Sequence, residues 1–172
     1  MTKKKQITLR IATIEDLELL RYWDKQQHVV DSDPDEDWDW EYELQRFPDW
    51  REQLIAEIDG RPIGCIQIID PAKEESHYWG SVPENLRALD IWIGEKDDLG
   101  KGYGTIMMQL TVERCFRNDK VIAILIDPLE SNKEAIRFYQ KMGFRFVEKR
   151  SFGDSKCLVY KLDRRDWFDR KV

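Results

Sequence analysis

The chain has 172 residues, and residues 1–172 are expected to form a single domain with one sizeable core. Hydrophobic residues make up 41% and charged residues 36%, the balance of a soluble globular protein. No run approaches the length of a membrane span, and a net charge of −6 argues against nucleic acid as a partner. The start, "MTKKKQITLR", is basic, but no apolar stretch follows it, so it does not read as a signal peptide. Cys65, Cys115 and Cys157 are odd in number, lie in apolar contexts and form no CxxC. That pattern fits thiols in a reducing cytoplasm better than a disulfide framework.

In chain order, "ITLRI" (Ile7 to Ile11) alternates like a strand. Thr13 opens a helix, with Asp16 three residues on as a variant of the capping box, and Leu17, Leu20 and Trp23 form its apolar stripe. "DSDPDEDWDWEYE" (Asp31 to Glu43) then holds eight carboxylates and no basic residue. It reads either as a solvated loop with a short helix or as a field that attracts a cation. The interleaved Trp38, Trp40 and Tyr42 favour the field, because a purely solvated run needs no aromatics. "QLIAEIDGRPIGCIQII" is a hairpin: two β-rich runs flank Asp59-Gly60, a type I′ turn signal. Residues 70–85, with Pro71, Gly80 and Pro83, read as a long loop.

"LRALDIWIG" is a strand that runs into "DDLGKGYGTIMM". From Gly104 to Arg117 the polar Gln109, Glu113 and Arg117 recur every four residues and leave most of the circumference apolar, as in a helix packed deep against a sheet. "KVIAILID" is a buried strand. Ser131 and Glu134 form a capping box for the next helix, which Gly143 closes at C′. Two strands around Gly153-Asp154 complete the pattern. The class is α/β, an α+β mixed sheet of about seven strands with helices on both faces, part of it parallel through the βα units of residues 86–145.

A strand, then glycines, then a helix start presents free backbone N–H groups at the positive end of the helix dipole. Glycine lets a phosphate or pyrophosphate approach them closely. Taken alone, "GKGYGT" is also compatible with an ordinary tight βα turn. It has neither P-loop spacing nor a full GxGxxG. His28 and His77 are solitary, so no metal is expected. Cys115 and Cys157 read as core, and Cys65 has no support as a nucleophile.

"LGKGYGT" followed by a strand and "SNKEAIRFYQKMGF" resembles the GNAT superfamily of N-acetyltransferases. The resemblance implies the GNAT fold and acetyl-CoA as cosubstrate, with no metal. Its pyrophosphate would lie on the segment of Leu99, Gly100, Lys101, Gly102, Tyr103, Gly104 and Thr105, where Leu99 replaces the family's usual Gln or Arg. Asn132 would hold the pantetheine arm. Ile91, Trp92 and Ile93 would supply strand backbone to the acetyl and pantetheine groups, and Tyr139 would stand near the sulfur. "DGRPIGCIQI", "ALDIWIG", "LGKGYGT" and "IDPLESNKEAIRFYQKMGF" further resemble the aminoglycoside 6'-N-acetyltransferases, which share the Leu-Gly-Lys-Gly variant. That narrower resemblance implies that Asp90 and Asp127 face a cationic small-molecule amine, with Tyr78 and Trp79 as its aromatic neighbours. The siderophore acyltransferases share much of the pattern.

The chemistry needs a base, because an ammonium must lose a proton before it attacks a thioester; Asp90 is the candidate, directly or through water. An N–H near Ile93 would hold the oxyanion. Tyr139 would protonate the departing thiolate. The plainer readings make Tyr139 and Trp79 packing residues and Asp127 a turn former before Pro128. Asp90, in an apolar strand, is costly to bury unpaired, so it is functional or salt-bridged. The expectation is a cytoplasmic acetyltransferase, monomer or homodimer, acting on an aminoglycoside without nucleic acid or membrane. The alternatives are a siderophore precursor, a polyamine or a protein N-terminus as acceptor, or a silent acyl-CoA-binding module.

Overall fold

The structure, a computed structural model, describes residues 5–170; the first four residues of the basic N-terminal segment lie outside the described residues. Strand β1 (Ile7–Ile11) leads through a 3₁₀ turn (Ile14–Asp16) into α1 (Leu17–Trp23), α2 (Gln27–Ser32) and α3 (Trp40–Glu43). Strands β2 (Arg51–Ile58), β3 (Arg61–Ile69) and β4 (Leu86–Ile93) follow, and a second 3₁₀ turn (Lys96–Asp98) precedes α4 (Tyr103–Phe116). Then come β5 (Ala123–Ile126), α5 (Lys133–Lys141), β6 (Arg145–Phe152), β7 (Ser155–Asp163) and α6 (Arg164–Asp169). Among the described residues seven strands form a mixed sheet in the order β1-β2-β3-β4-β5-β7-β6, flanked by helices as the element order predicts.

The chain divides into two compact units. The first holds the described residues up to Gln67 together with Asp90–Thr111. In it β1 and β2 pair antiparallel from Ile7↔Ile58 to Ile11↔Leu54. Arg10 of β1 bonds Glu57 at 2.6 Å and both oxygens of Asp16 at 2.8 Å. Asp16 in turn accepts the Thr13 N–H at 2.8 Å, so the acid predicted to cap this helical start does so. Asp59 (φ 49°) and Gly60 (φ 82°) both take the left-handed conformation that a type I′ hairpin turn requires. The core gathers Leu20, Trp23, Trp40, Leu44, Ile55 and Cys65. Gly94 makes this packing possible, because a Cβ there would come within 2.0 Å of the Trp23 ring.

Trp40 is therefore a core residue, and Trp38 stacks on it at 5.1 Å. Two of the aromatics in the acidic run pack, and Tyr42 remains exposed. The run also carries two short helices, the end of α2 and the whole of α3, where one was expected.

The second unit holds Ile68–Leu89 and the residues from Val112 to the last described one. The expected parallel portion includes β4 with β5, from Leu86↔Ala123 to Ala88↔Leu125. Strand β7 inserts antiparallel between β5 and β6. Strand β5 is half the length of "KVIAILID", spanning Ala123–Ile126. The core here is Trp79, Leu86, Ala88, Ala123, Leu125 and Val159, with Phe152 packed against it.

Helix α5 corrects one capping assignment. Its N-cap is Asn132, not Ser131: the Asn132 Oδ1 accepts the Ala135 N–H at 3.1 Å, which puts Glu134 one position too early for a capping box. Gly143 (φ 99°) follows the C-cap Met142, as predicted. Helix α6 is an addition to the expected order. Six residues are too few to show a helical period, and the helix is held instead by buried Trp167. At its start Arg164 donates to the Phe116, Asn118 and Val121 carbonyls at 3.0–3.2 Å, which ties α6 to the end of α4. Helix α4 buries Met107, Met108, Thr111, Val112, Cys115 and Phe116 and exposes Ile106, Gln109 and Glu113, a narrower buried face than its apolar composition suggests.

Candidate active site

In the first unit the residues expected to meet the coenzyme come from the end of β4 and the segment after it. Asp90, Ile91, Trp92 and Ile93 are half-buried. The Ile93 carbonyl accepts from His28 Nε2 of α2 at 2.8 Å, so that ring nitrogen carries the proton. Past Ile93 the chain is tied down twice. Glu95 accepts from the Trp23 indole at 3.2 Å and from the Tyr22 hydroxyl at 3.4 Å. Asp98, 3% exposed, receives two bonds from Arg61 at 2.8 and 3.0 Å, with Lys101 at 3.8 Å. Hydrogen bonding from Arg61 holds the Asp98 carboxyl below its ordinary value despite burial.

Between these anchors and α4 the backbone is open. Gly100 (φ 73°) and Gly102 (φ 79°) are left-handed, and a Cβ at either would meet nothing within 4 Å. Glycine is needed there for conformation rather than for packing, and the space beside the backbone is clear. Leu99, Lys101 and Thr105 are exposed, Tyr103 and Gly104 half-buried. Helix α4 starts at Tyr103, and its first N–H groups have no partner within the helix, which gives an anion-receptive backbone.

Asp90 has acidic company that sequence reasoning did not assign. Glu36, midway along the acidic run, keeps an exposed surface, yet its carboxyl is held well above the usual range. Desolvation is the first cause, followed by a hydrogen bond with Asp33 and the charges of Asp90 and Asp33; a Trp38 hydrogen bond opposes them. Cys65 is fully buried, and burial followed by the Asp24 and Asp90 charges pushes its thiol up, which removes it as a nucleophile.

In the second unit Tyr78 and Asp127 are brought together across 49 residues: the Tyr78 hydroxyl donates to Asp127 Oδ2 at 2.6 Å. The two predicted aromatics part company. Tyr78 is 47% exposed, while Trp79 is 5% exposed and packs in the core. Tyr139 is buried on α5, its ring against Phe138 and Phe144 at 5.4 and 6.0 Å. Asn132 spends its oxygen on the α5 cap. Asp98, Glu36 and His28 are the residues that sequence reasoning missed here. Asp98, just ahead of the glycines, and Glu36, inside the acidic run, each left a local signal, and His28 left none. Among the described residues no group of three or more His, Cys, Asp or Glu is placed to hold a metal ion, and no helix is long and apolar enough to cross a membrane.

The model of the family described as "Acetyltransferase (GNAT) domain" matches residues 13–152. The chain is 30% identical over 173 residues to the aminoglycoside N(6')-acetyltransferase type 1 of Klebsiella pneumoniae, covering 95% of this chain and 86% of that protein. Among solved structures, the aminoglycoside acetyltransferase AAC(6')-Ib in complex with coenzyme A and kanamycin is similar with a TM-score of 0.85 and 26% identity, covering 97% of this chain and 100% of that one. The AAC(6')-Ib complex with paromomycin and acetyl-CoA is similar with a TM-score of 0.84 and 28% identity, covering 96% and 97%.

Proposed function

We propose, for a chain that belongs to the GNAT acetyltransferase family, that it moves an acetyl group from acetyl-CoA to a primary amine of a polycationic small molecule, the 6'-amine of an aminoglycoside. The observation that carries the reading is the segment from Leu99 to Thr105 at the mouth of α4, left-handed at Gly100 and Gly102 with clear space beside both, and anchored by Asp98 and Arg61. Such a backbone suits a pyrophosphate, which the family's coenzyme carries. The relatives' aminoglycoside substrates and ligands, together with the acidic character around Asp90, support the choice of acceptor.

In this reading the backbone of Leu99 to Thr105 binds the pyrophosphate, the Asn132 amide nitrogen the pantetheine arm, and the backbone of Ile91, Trp92 and Ile93 the acetyl end. Asp90 takes a proton from the acceptor ammonium, directly or through water, and the freed amine attacks the thioester carbon. A backbone N–H near Ile93 holds the oxyanion. As the C–S bond breaks, Tyr139 gives its proton to the thiolate. Asp127 and Tyr78 orient the acceptor, and buried Trp79 supports Tyr78 from within the core. Nitrogen attacks carbon directly, so no covalent enzyme intermediate forms.

The test is a panel of kanamycin-type aminoglycosides, spermidine, a hydroxylysine-type siderophore precursor and peptide N-termini, assayed for free CoA release and for the acetylated position. Aminoglycoside 6'-acetylation is the expected result. Acetylation of a neutral or singly charged amine with no turnover of aminoglycosides would leave the transferase chemistry and sink the acceptor.

A further inference from the structure

We infer that Phe152, at the end of β6, is a positioning residue for the acceptor: its ring holds Tyr78 so that the Tyr78 hydroxyl fixes the Asp127 carboxylate. The inference rests on the acceptor reading above for its consequence, but its geometry stands by itself. Tyr78 lies in a loop without helix or strand; Glu74 Oε2 accepts its backbone N–H at 3.0 Å, which fixes the backbone but leaves the rotamer of a phenol that binds a carboxylate to be set by its ring contacts. Phe152 stacks on that ring. The two rings are 4.4 Å apart at centroids and 4° from parallel, and Trp79 meets both edge-on, at 5.8 Å to Tyr78 and 5.2 Å to Phe152.

Arg150, two residues earlier on β6, completes the support. Its guanidinium lies 4.8 Å over the Phe152 ring, and its Nη2 donates to the Trp79 carbonyl at 2.9 Å. One strand therefore grips the loop backbone beside Tyr78 and the ring of Tyr78 itself. The hydroxyl so placed donates to Asp127 Oδ2 at 2.6 Å. That bond sets the carboxylate's rotamer, which an incoming ammonium needs. Phe152 thus governs acceptor binding without touching the acceptor, and should affect KM rather than the chemical step.

The experiment pairs a spectroscopic reading with kinetics on the full chain. Tyrosine labelled with ¹³C at Cζ reports the state of the phenol, and the Tyr78 signal is identified by its loss in Tyr78→Phe. Asp127→Asn should move it. Phe152→Leu, which keeps an apolar side chain against Trp79 but no ring, should move it in the same direction, and Phe152→Tyr should restore it. Arg150→Gln should give a smaller shift of the same sign and serves if Phe152→Leu does not fold. In steady state Phe152→Leu should raise the acceptor KM about three- to tenfold, the usual worth of an aromatic pair, with kcat and acetyl-CoA KM unchanged. On the Tyr78→Phe background the Phe152→Leu effect should vanish. A Tyr78 signal that stays at its wild-type position in both Phe152→Leu and Arg150→Gln overturns the inference whatever the acceptor proves to be. A KM increase that persists on the Tyr78→Phe background overturns it too. If no amine on the panel is acetylated, the functional reading fails and the Tyr78 signal still decides the role of Phe152.

Discussion

The glycine segment and the acidic run both carry buried or crowded carboxylates, and the two environments act in opposite senses. Asp98 is met by two Arg61 bonds and by Lys101, and its carboxyl is held down. Glu36 is met by Asp33 and Asp90, and its carboxyl is held up. The acidic run is itself balanced at its C-terminal end: Arg46 and Arg51 bond Glu43, Arg21 reaches Glu41, and Asp39 caps α3. Its middle is where like charges crowd. A count of eight carboxylates therefore overstates the field of the run, which depends on where arginines from elsewhere in the fold arrive. In the proposed function the anchored acid would make a rigid rim for the coenzyme's pyrophosphate, and the crowded acids a place that a cation would stabilise.

The largest effect should come from the proposed base and acid. Asp90→Asn and Tyr139→Phe are each expected to lower kcat by about 10²-fold or more while acetyl-CoA affinity stays nearly intact. An unchanged kcat, with chemistry shown to be rate-limiting, would remove the residue from the mechanism. On the other side of the comparison, Gly102→Val places a β-branched residue at φ 79°. Strain of about 1–3 kcal/mol should weaken acetyl-CoA about tenfold or more by calorimetry, leaving the acidic run unaffected. Equal affinity in the variant would detach the glycines from coenzyme binding.

Stability should separate the two acids by sign. Asp98→Asn is expected to cost about 1–3 kcal/mol in urea unfolding near neutral pH. The folded pKa of Asp98 lies below its ordinary 3.8, so its contribution is present above that value and is lost as pH falls through the folded pKa. Variant and wild type should converge in acid. Glu36 is the reverse. Its folded pKa is raised above 4.5, so the folded state holds a proton that the unfolded state has released, and stability falls as pH rises from 4.5 toward the folded pKa. Glu36→Gln should match the wild type below pH 4.5 and gain on it in melting temperature above that; a gap that does not grow with pH would contradict the crowding. The smallest effect is screening: the acceptor KM should rise a few-fold with ionic strength between low and physiological salt, and acetyl-CoA KM by a different factor. An acceptor KM indifferent to salt would mean that the exposed carboxylates do not steer it.

What the sequence by itself determined was local. The Asp59-Gly60 turn, Gly143 past α5, the strand alternation of β1 and the glycines ahead of α4 are each specified by residues within a few positions of one another, and each was legible. The motif residues Asp90, Asp127, Tyr139 and Asn132 are singled out by the family resemblance that the local motifs carry. Adjacent signals of equal kind could not be ranked, which is why Ser131 and Asn132 were exchanged as caps, and six residues of α6 showed no period. Only the tertiary structure decided which side chains meet. Arg61 finds Asp98 across 37 residues, Tyr78 finds Asp127 across 49, and His28 finds Ile93 across 65. It also decided that Trp40 and Trp79 pack while Tyr42 and Tyr78 face solvent, and that β7 enters between β5 and β6. Turn and capping preferences act through bonds between near neighbours, whereas charge pairing and ring stacking act through space and depend on the strand order that carries distant residues together.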